Sequence, residues 1–139
     1  MTKDIKPYAD LLRSSGLRPT TQRVEICKIL FDRKDTFHFT IEKLKKILDK
    51  RSNKKISVAT IYNTIHAFQK KGYLKEISLK GNKNFFDTNT KHHHHFYDEN
   101  VSRLVDIEDK NISIKYLPKT PNGKKIKSVE VLVKIEDIN

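Results

Sequence analysis

The sequence predicts an α+β chain, an N-terminal winged helix–turn–helix followed by a small α/β dimerisation domain. Three observations predict it. Four segments with helical apolar spacing fill the first half, and two β-rich runs joined by "KGNK" follow the fourth. From about residue 88, β-branched and partly alternating runs take over. A chain of 139 residues suits one domain or two small ones. The expected boundaries are 1–87 for the winged helix, 88–91 for a hinge and 92–139 for the second domain.

"IKPYADLLRSSG" reads as a first helix with Tyr8, Leu11 and Leu12 on one face and Gly16 as its stop. In "LRPTTQRVEICKILFDR", Thr20 or Thr21 is the N-cap, and Val24, Cys27, Leu30 and Phe31 form one stripe. Cys27 is therefore expected in the core. Thr40 caps a third helix whose apolar face is Ile41, Leu44, Ile47 and Leu48. The fourth, within "ISVATIYNTIHAFQKKGYL", turns Ile61, Ile65 and Phe68 inward and ends at Gly72. Its other side is expected to carry Thr60, Asn63, Thr64, Ala67 and Lys70. "YLKEISL" and "NFFDT" then form a hairpin around Gly81-Asn82, which is the wing. Further on, "HHHFYD", "RLVDIED" and "VEVLVKIEDI" read as strands, and "YLPKTPNGKK" as loop. Residues 92–139 hold too little apolar material for an independent core, so this part is expected to pair with another copy.

Lysines and arginines outnumber acids 29 to 17, a net charge of +12, which favours an anionic partner and nucleic acid first. No apolar run approaches the roughly 20 residues needed to span a bilayer, and "MTKDIKPYADLLRSSG" has no signal-peptide core. A cytoplasmic protein with no membrane partner is expected. One cysteine excludes a disulfide framework and a cysteine-based zinc knuckle. There is no HExxH helix, nucleophile elbow or paired acid–base set, so an enzyme is not expected.

A major groove admits a helix whose N-terminal end exposes short polar groups. Ser57, Thr60 and Asn63 fit, and Tyr62 lies where its hydroxyl reaches a phosphate. Lys54, Lys55, Lys70 and Lys71 bracket the helix as backbone contacts, and Arg18 and Arg23 are candidates for groove and phosphate contacts. Double-stranded DNA is the expected partner.

"TNTKHHHHFYDEN" places four consecutive histidines inside the chain. Imidazole suits zinc, manganese, iron and haem iron at neutral pH. Neighbours on a strand point to opposite faces, so at most two of the four reach one metal. On one alternation His93 and His95 share a face, with His92 and His94 on the other.

Taken together, "GLRPTTQR", "SVATIYNTIHAFQKKGYL", "NFFDTNT" and "HHHF" resemble the ferric uptake regulator (Fur) family of metal-sensing repressors, from about Leu11 to Ile135. Within it the sequence looks most like the iron response regulator (Irr) branch, on "FDTN…HHHF", "LVDI", "LPKTPNGKKI" and "VEVLVKI". The resemblance implies a homodimer reading an AT-rich palindrome and controlling iron and haem metabolism. It also implies a hinge site of His38, Asp87 and His93 or His95, with His94 if the register differs by one. The metal would be iron, manganese or zinc. For the Irr branch the implied signal is haem, held by the histidine run with His38 or His66. His66 also reads as a packing residue. "DENVSRLVDI" has no cysteine, so the structural zinc that the family holds on cysteine sulfurs is excluded. "MTKDIKPYADLL" lacks the cysteine-containing haem motif, and "KYLPKTPNGKK" replaces much of a helix found in Fur itself. A zinc, manganese or peroxide sensor of the same family is the alternative, and a metal-buffering protein is the reading from another class.

Overall fold

The computed structural model describes residues 4–51, 55–81 and 83–139. Lys54, expected beside the recognition helix, and Asn82, expected in the wing turn, lie outside them. Internal contacts divide the chain into two compact units, Met1–Thr90 and Lys91–Asn139.

The first unit runs α1 (Lys6–Ser14), α2 (Thr21–Phe31), β1 (His38–Phe39), α3 (Ile41–Arg51), α4 (Val58–Lys71), β2 (Lys75–Leu79) and β3 (Lys83–Asp87). Three helices begin on hydroxyl caps. Thr20 Oγ1 accepts the Arg23 N–H at 3.3 Å, Thr40 Oγ1 that of Lys43 at 3.1 Å, and Ser57 Oγ that of Thr60 at 3.1 Å. Each such cap contributes about 1 kcal/mol. α4 stops at Gly72, whose φ of +89° strains any residue with a Cβ.

Leu12, Ile26, Cys27, Leu30, Leu44, Leu48, Ile61, Ile65 and Phe68 close the core of this unit. α2 buries Val24, Ile26, Cys27, Ile29 and Leu30, more than the single expected stripe, because α1 and α4 both pack on it. Thr64 departs from expectation. It is fully buried, and its Oγ1 donates to the Thr60 carbonyl at 2.8 Å, so this hydroxyl satisfies the backbone and does not face solvent.

The wing is a three-stranded antiparallel sheet in the order β1-β3-β2. β1 is a strand absent from those expected above. It is only two residues long because Thr40 already caps α3. Its register sets His38 opposite Asp87 and Phe39 opposite Phe86.

The second unit holds β4 (His93–Asp98), β5 (Arg103–Glu108), one 3₁₀ turn (Asp109–Asn111) and β6 (Leu132–Ile135), in the sheet order β5-β4-β6. β4 and β5 form an antiparallel hairpin, and β6 lies parallel to β4. Parallel pairing needs a long crossover. Residues 112–131 supply it without regular structure, in keeping with their two prolines. β6 is shorter than the strand expected over "VEVLVKIEDI". Alternation puts His93, His95, Tyr97 and Leu104 on one face, where all four are buried. Phe96, Val105, Val133 and Ile135 share the other face, and all but the half-buried Val133 are exposed.

Candidate metal centre and nucleic-acid interface

β4 sorts the histidines by strand alternation. The His93 and His95 rings lie 4.4 Å apart between centroids, and each Nε2 is 3.3 Å from Asp106 Oδ1. All three offer ligand atoms within 4.8 Å of one another. The remaining nitrogen of His93 fixes its tautomer. Nδ1 is 2.5 Å from the Lys91 carbonyl oxygen, which can only accept, so Nδ1 carries a hydrogen. In the neutral ring Nε2 is then an acceptor, 3.3 Å from a carboxylate oxygen. Two acceptors at that distance require a proton or a cation between them. This is the tautomer of a metal-ligating histidine, with its second nitrogen donating to a carbonyl.

His94 has the opposite arrangement. Its Nδ1 accepts the Val131 N–H at 2.8 Å, so in the neutral ring Nε2 holds the hydrogen and donates to Asp109 Oδ1 at 2.9 Å. Both nitrogens are satisfied within the protein, and the ring ties β4 to the start of β6. His92 is exposed and stands 3.4 Å from the same Asp109 oxygen.

In the first unit, His38 Nε2 is 3.1 Å from Asp87 Oδ2. Asp87 is fully buried, and its Oδ1 accepts the Asn89 N–H at 2.8 Å. A buried carboxylate needs a positive partner as well as hydrogen bonds. The strand carrying His38 is held firmly. The Phe37 N–H donates to Thr88 Oγ1 at 2.9 Å, the Thr88 N–H donates back to the Phe37 carbonyl at 3.1 Å, and the Arg33 guanidinium lies 3.9 Å from the Phe37 ring centroid. His66 is half-buried on α4, with its ring packed against that of Tyr62 at a tilt.

Asp106 and Asp109 are absent from the residues the sequence singles out. The signal for Asp106 was present, because the β4–β5 turn centres between Asn100 and Val101. His95 and Asp106 are equidistant from that point and fall opposite each other. Cys27 offers no sulfur ligand: it is fully buried, and burial pushes its thiol up to about 12.

The expected DNA-reading residues fall in two places in the first unit: Arg18 and Arg23 around the start of α2, and Ser57 to Lys70 along α4. Tyr62 is half-exposed and Asn63 exposed, one turn into α4, and Lys70 is exposed at its end. Ser57 is exposed but serves as the N-cap, with its Oγ also 2.9 Å from Thr60 Oγ1, so neither hydroxyl is idle. Arg18 is exposed, while Arg23 turns back: its Nη1 donates to the Arg18 carbonyl at 3.0 Å, and its buried Nε finds no acceptor among the described residues. Charge is unevenly shared. Residues 1–90 carry 20 lysines and arginines against 9 acids, and residues 91–139 carry 9 against 8. The first unit thus holds +11 of the net +12.

No described helix is long and apolar enough to cross a membrane. The chain is 34% identical over 97 residues to the peroxide-responsive repressor PerR of Staphylococcus aureus strain Mu50, covering 70% of this chain and 64% of that protein. It is 35% identical over 96 residues to PerR of Staphylococcus epidermidis, covering 69% and 62%. The chain therefore spans somewhat less than two thirds of the length of these relatives. Among solved structures, the Vibrio cholerae ferric uptake regulator superposes with a TM-score of 0.70 at 22% identity, covering 93% of this chain and 98% of the other. The Pseudomonas aeruginosa ferric uptake regulator with manganese gives 0.65 at 17% identity, covering 95% and 98%. These structures share the fold of an α+β winged-helix unit followed by a small α/β unit. The model of the ferric uptake regulator family matches residues 14–135, most of the sequence, and the chain belongs to that family.

Proposed function

We propose that this protein is a metal-responsive, DNA-binding transcriptional regulator that works as a homodimer. The metal is a divalent cation of the iron, manganese or zinc type, and its candidate donors are His38 and Asp87 in the first unit and His93, His95 and Asp106 in the second. Metal binding sets the spacing of the two recognition helices in the dimer. The observation that carries this reading is His93, whose Nδ1 is committed to a carbonyl and whose Nε2 is left as an acceptor 3.3 Å from Asp106 Oδ1. Imidazole nitrogens and carboxylate oxygens together suit a borderline divalent cation.

That donor set favours a free divalent ion over haem, the signal implied by the Irr resemblance, because carboxylates stand against the same imidazoles. His94, with both nitrogens engaged, is left out of the ligand set, and His66 is left out by its packing against Tyr62. A peroxide-responsive regulator is the second reading, supported by the PerR relatives. Homodimerisation is supported by the uncovered apolar face of Phe96, Val105, Val133 and Ile135.

DNA binding is supported by the charge held in residues 1–90 and by Tyr62, Asn63 and Lys70 on α4. The test is fluorescence anisotropy of the full chain with an AT-rich palindromic duplex at increasing salt. Affinity should fall steeply, by about a thousandfold between 50 and 200 mM if roughly six phosphates are contacted. A chain that ignores the duplex at low salt is no DNA-binding regulator.

A further inference from the structure

His66 has no part in the metal set, yet its surroundings are unusual for a recognition helix. It is half-buried and lines two open cavities of about 600 Å³ each. Four residues earlier, one turn along the same face, stands Tyr62. The two rings are 4.1 Å apart between centroids with 33° between their planes. His66 also meets Phe86 edge-on, at 6.5 Å between centroids and 71°. Phe86 stacks on Phe39 at 5.6 Å, and Phe39 on Phe37 at 5.3 Å. These last three residues directly precede Asp87 or flank His38. An unbroken row of rings therefore runs from the wing strands to Tyr62, all within the first unit.

An exposed tyrosine on a helix samples several rotamers and loses that freedom when it grips a phosphate. A ring packed against it at 4.1 Å removes part of that cost in advance. We propose that His66 is a positioning residue, whose ring braces Tyr62 for contact with DNA and ties it to the strand that carries Asp87. This rests on the DNA-binding reading above. The row of rings has no polar function of its own, and a histidine at a solvent-lined rim adds little to the core, so bracing accounts for its place.

The test is anisotropy with a duplex selected in vitro for binding to the full-length wild-type chain, in saturating Mn²⁺. His66→Ala should weaken binding about three- to tenfold, Tyr62→Ala at least as much, and the double variant no more than Tyr62→Ala alone. His66→Phe should restore most of the affinity, and the thermal midpoint of His66→Ala should stay near that of wild type. Losses that multiply in the double variant, or a His66→Ala that binds as wild type does, overturn the proposal. If His66→Ala loses its cooperative unfolding transition, His66→Gln against His66→Phe carries the comparison: equal affinities overturn the proposal, and a loss in glutamine alone sustains it. A wild-type chain that selects no duplex refutes the DNA-binding reading itself and the proposal with it. Failure at His66 with wild-type binding intact refutes only the positioning role.

Discussion

His95 Nε2 and Asp106 Oδ1 stand 3.3 Å apart across the β4–β5 hairpin, and His93 reaches the same oxygen from two residues along. One carboxylate thus collects both histidines of the buried face. Removing its charge should weaken metal binding without disturbing the hairpin. Asp106→Asn keeps the shape and a carbonyl oxygen but loses the anion. Isothermal titration with Mn²⁺ should show affinity reduced at least about tenfold, with a thermal midpoint in chelator near wild type. Unchanged Mn²⁺ affinity would remove Asp106 from the site.

The two faces of β4 should respond differently to the same substitution. His95→Ala should lower Mn²⁺ affinity strongly. His94→Ala should leave it within a few fold and instead free the Val131 N–H, which now donates to the ring at 2.8 Å. An amide losing its buried acceptor costs about 1–3 kcal/mol. Hydrogen exchange at Val131 should therefore accelerate, and β6 should open before the β4–β5 hairpin does. Equal metal losses in the two variants would contradict the tautomer argument.

Thr88 clamps the start of β1, the strand that carries His38. Its Oγ1 is the acceptor for the Phe37 N–H at 2.9 Å. Thr88→Val keeps the volume and strands that amide, so urea unfolding should show a loss of about 1–3 kcal/mol. Mn²⁺ affinity should fall as well, since β1 would hold His38 less firmly opposite Asp87. A variant as stable as wild type would mean that the clamp contributes nothing.

The fold was legible where period and capping agreed. Thr20 and Thr40 announce two helices, and Ile61, Ile65 and Phe68 show which side of α4 turns in, whereas Ser57, expected at the groove, caps α4. Thr64 misled because a threonine's hydroxyl can be satisfied by its own helix, so polarity alone did not report its side. β1 escaped because two residues give no alternation to read. The pairing of His93 with His95 followed from strand geometry, but their carboxylate did not. Asp106 becomes visible only through the hairpin register, and Asp109 only through the 3₁₀ turn after β5. The separate fates of His93 and His94 depend on a carbonyl and an amide of the backbone, which no side-chain pattern records.

Cys27 should be inert in the folded chain and should shape its alkaline stability. Burial raises the thiol from 9.0 to about 12. Between those values the unfolded chain gives up a proton that the folded chain retains. Stability therefore falls as pH rises through 9, by up to about 1.4 kcal/mol per unit from this group. The stability difference between wild type and Cys27→Ala should shrink accordingly from pH 9 to 10.5 in urea unfolding, and thiol reagents should react with the native chain only as fast as it opens. A difference independent of pH would show that the thiol ionises normally.

The central claim is that one divalent cation couples the histidine strand to DNA binding. The most direct measurement is the affinity of the full chain for its in-vitro-selected duplex, with saturating Mn²⁺ and with chelator, in wild type and in His95→Ala. The account predicts that Mn²⁺ changes wild-type affinity by about tenfold or more and the variant's by less than about twofold. Wild-type affinity that is the same in Mn²⁺ and in chelator would contradict it.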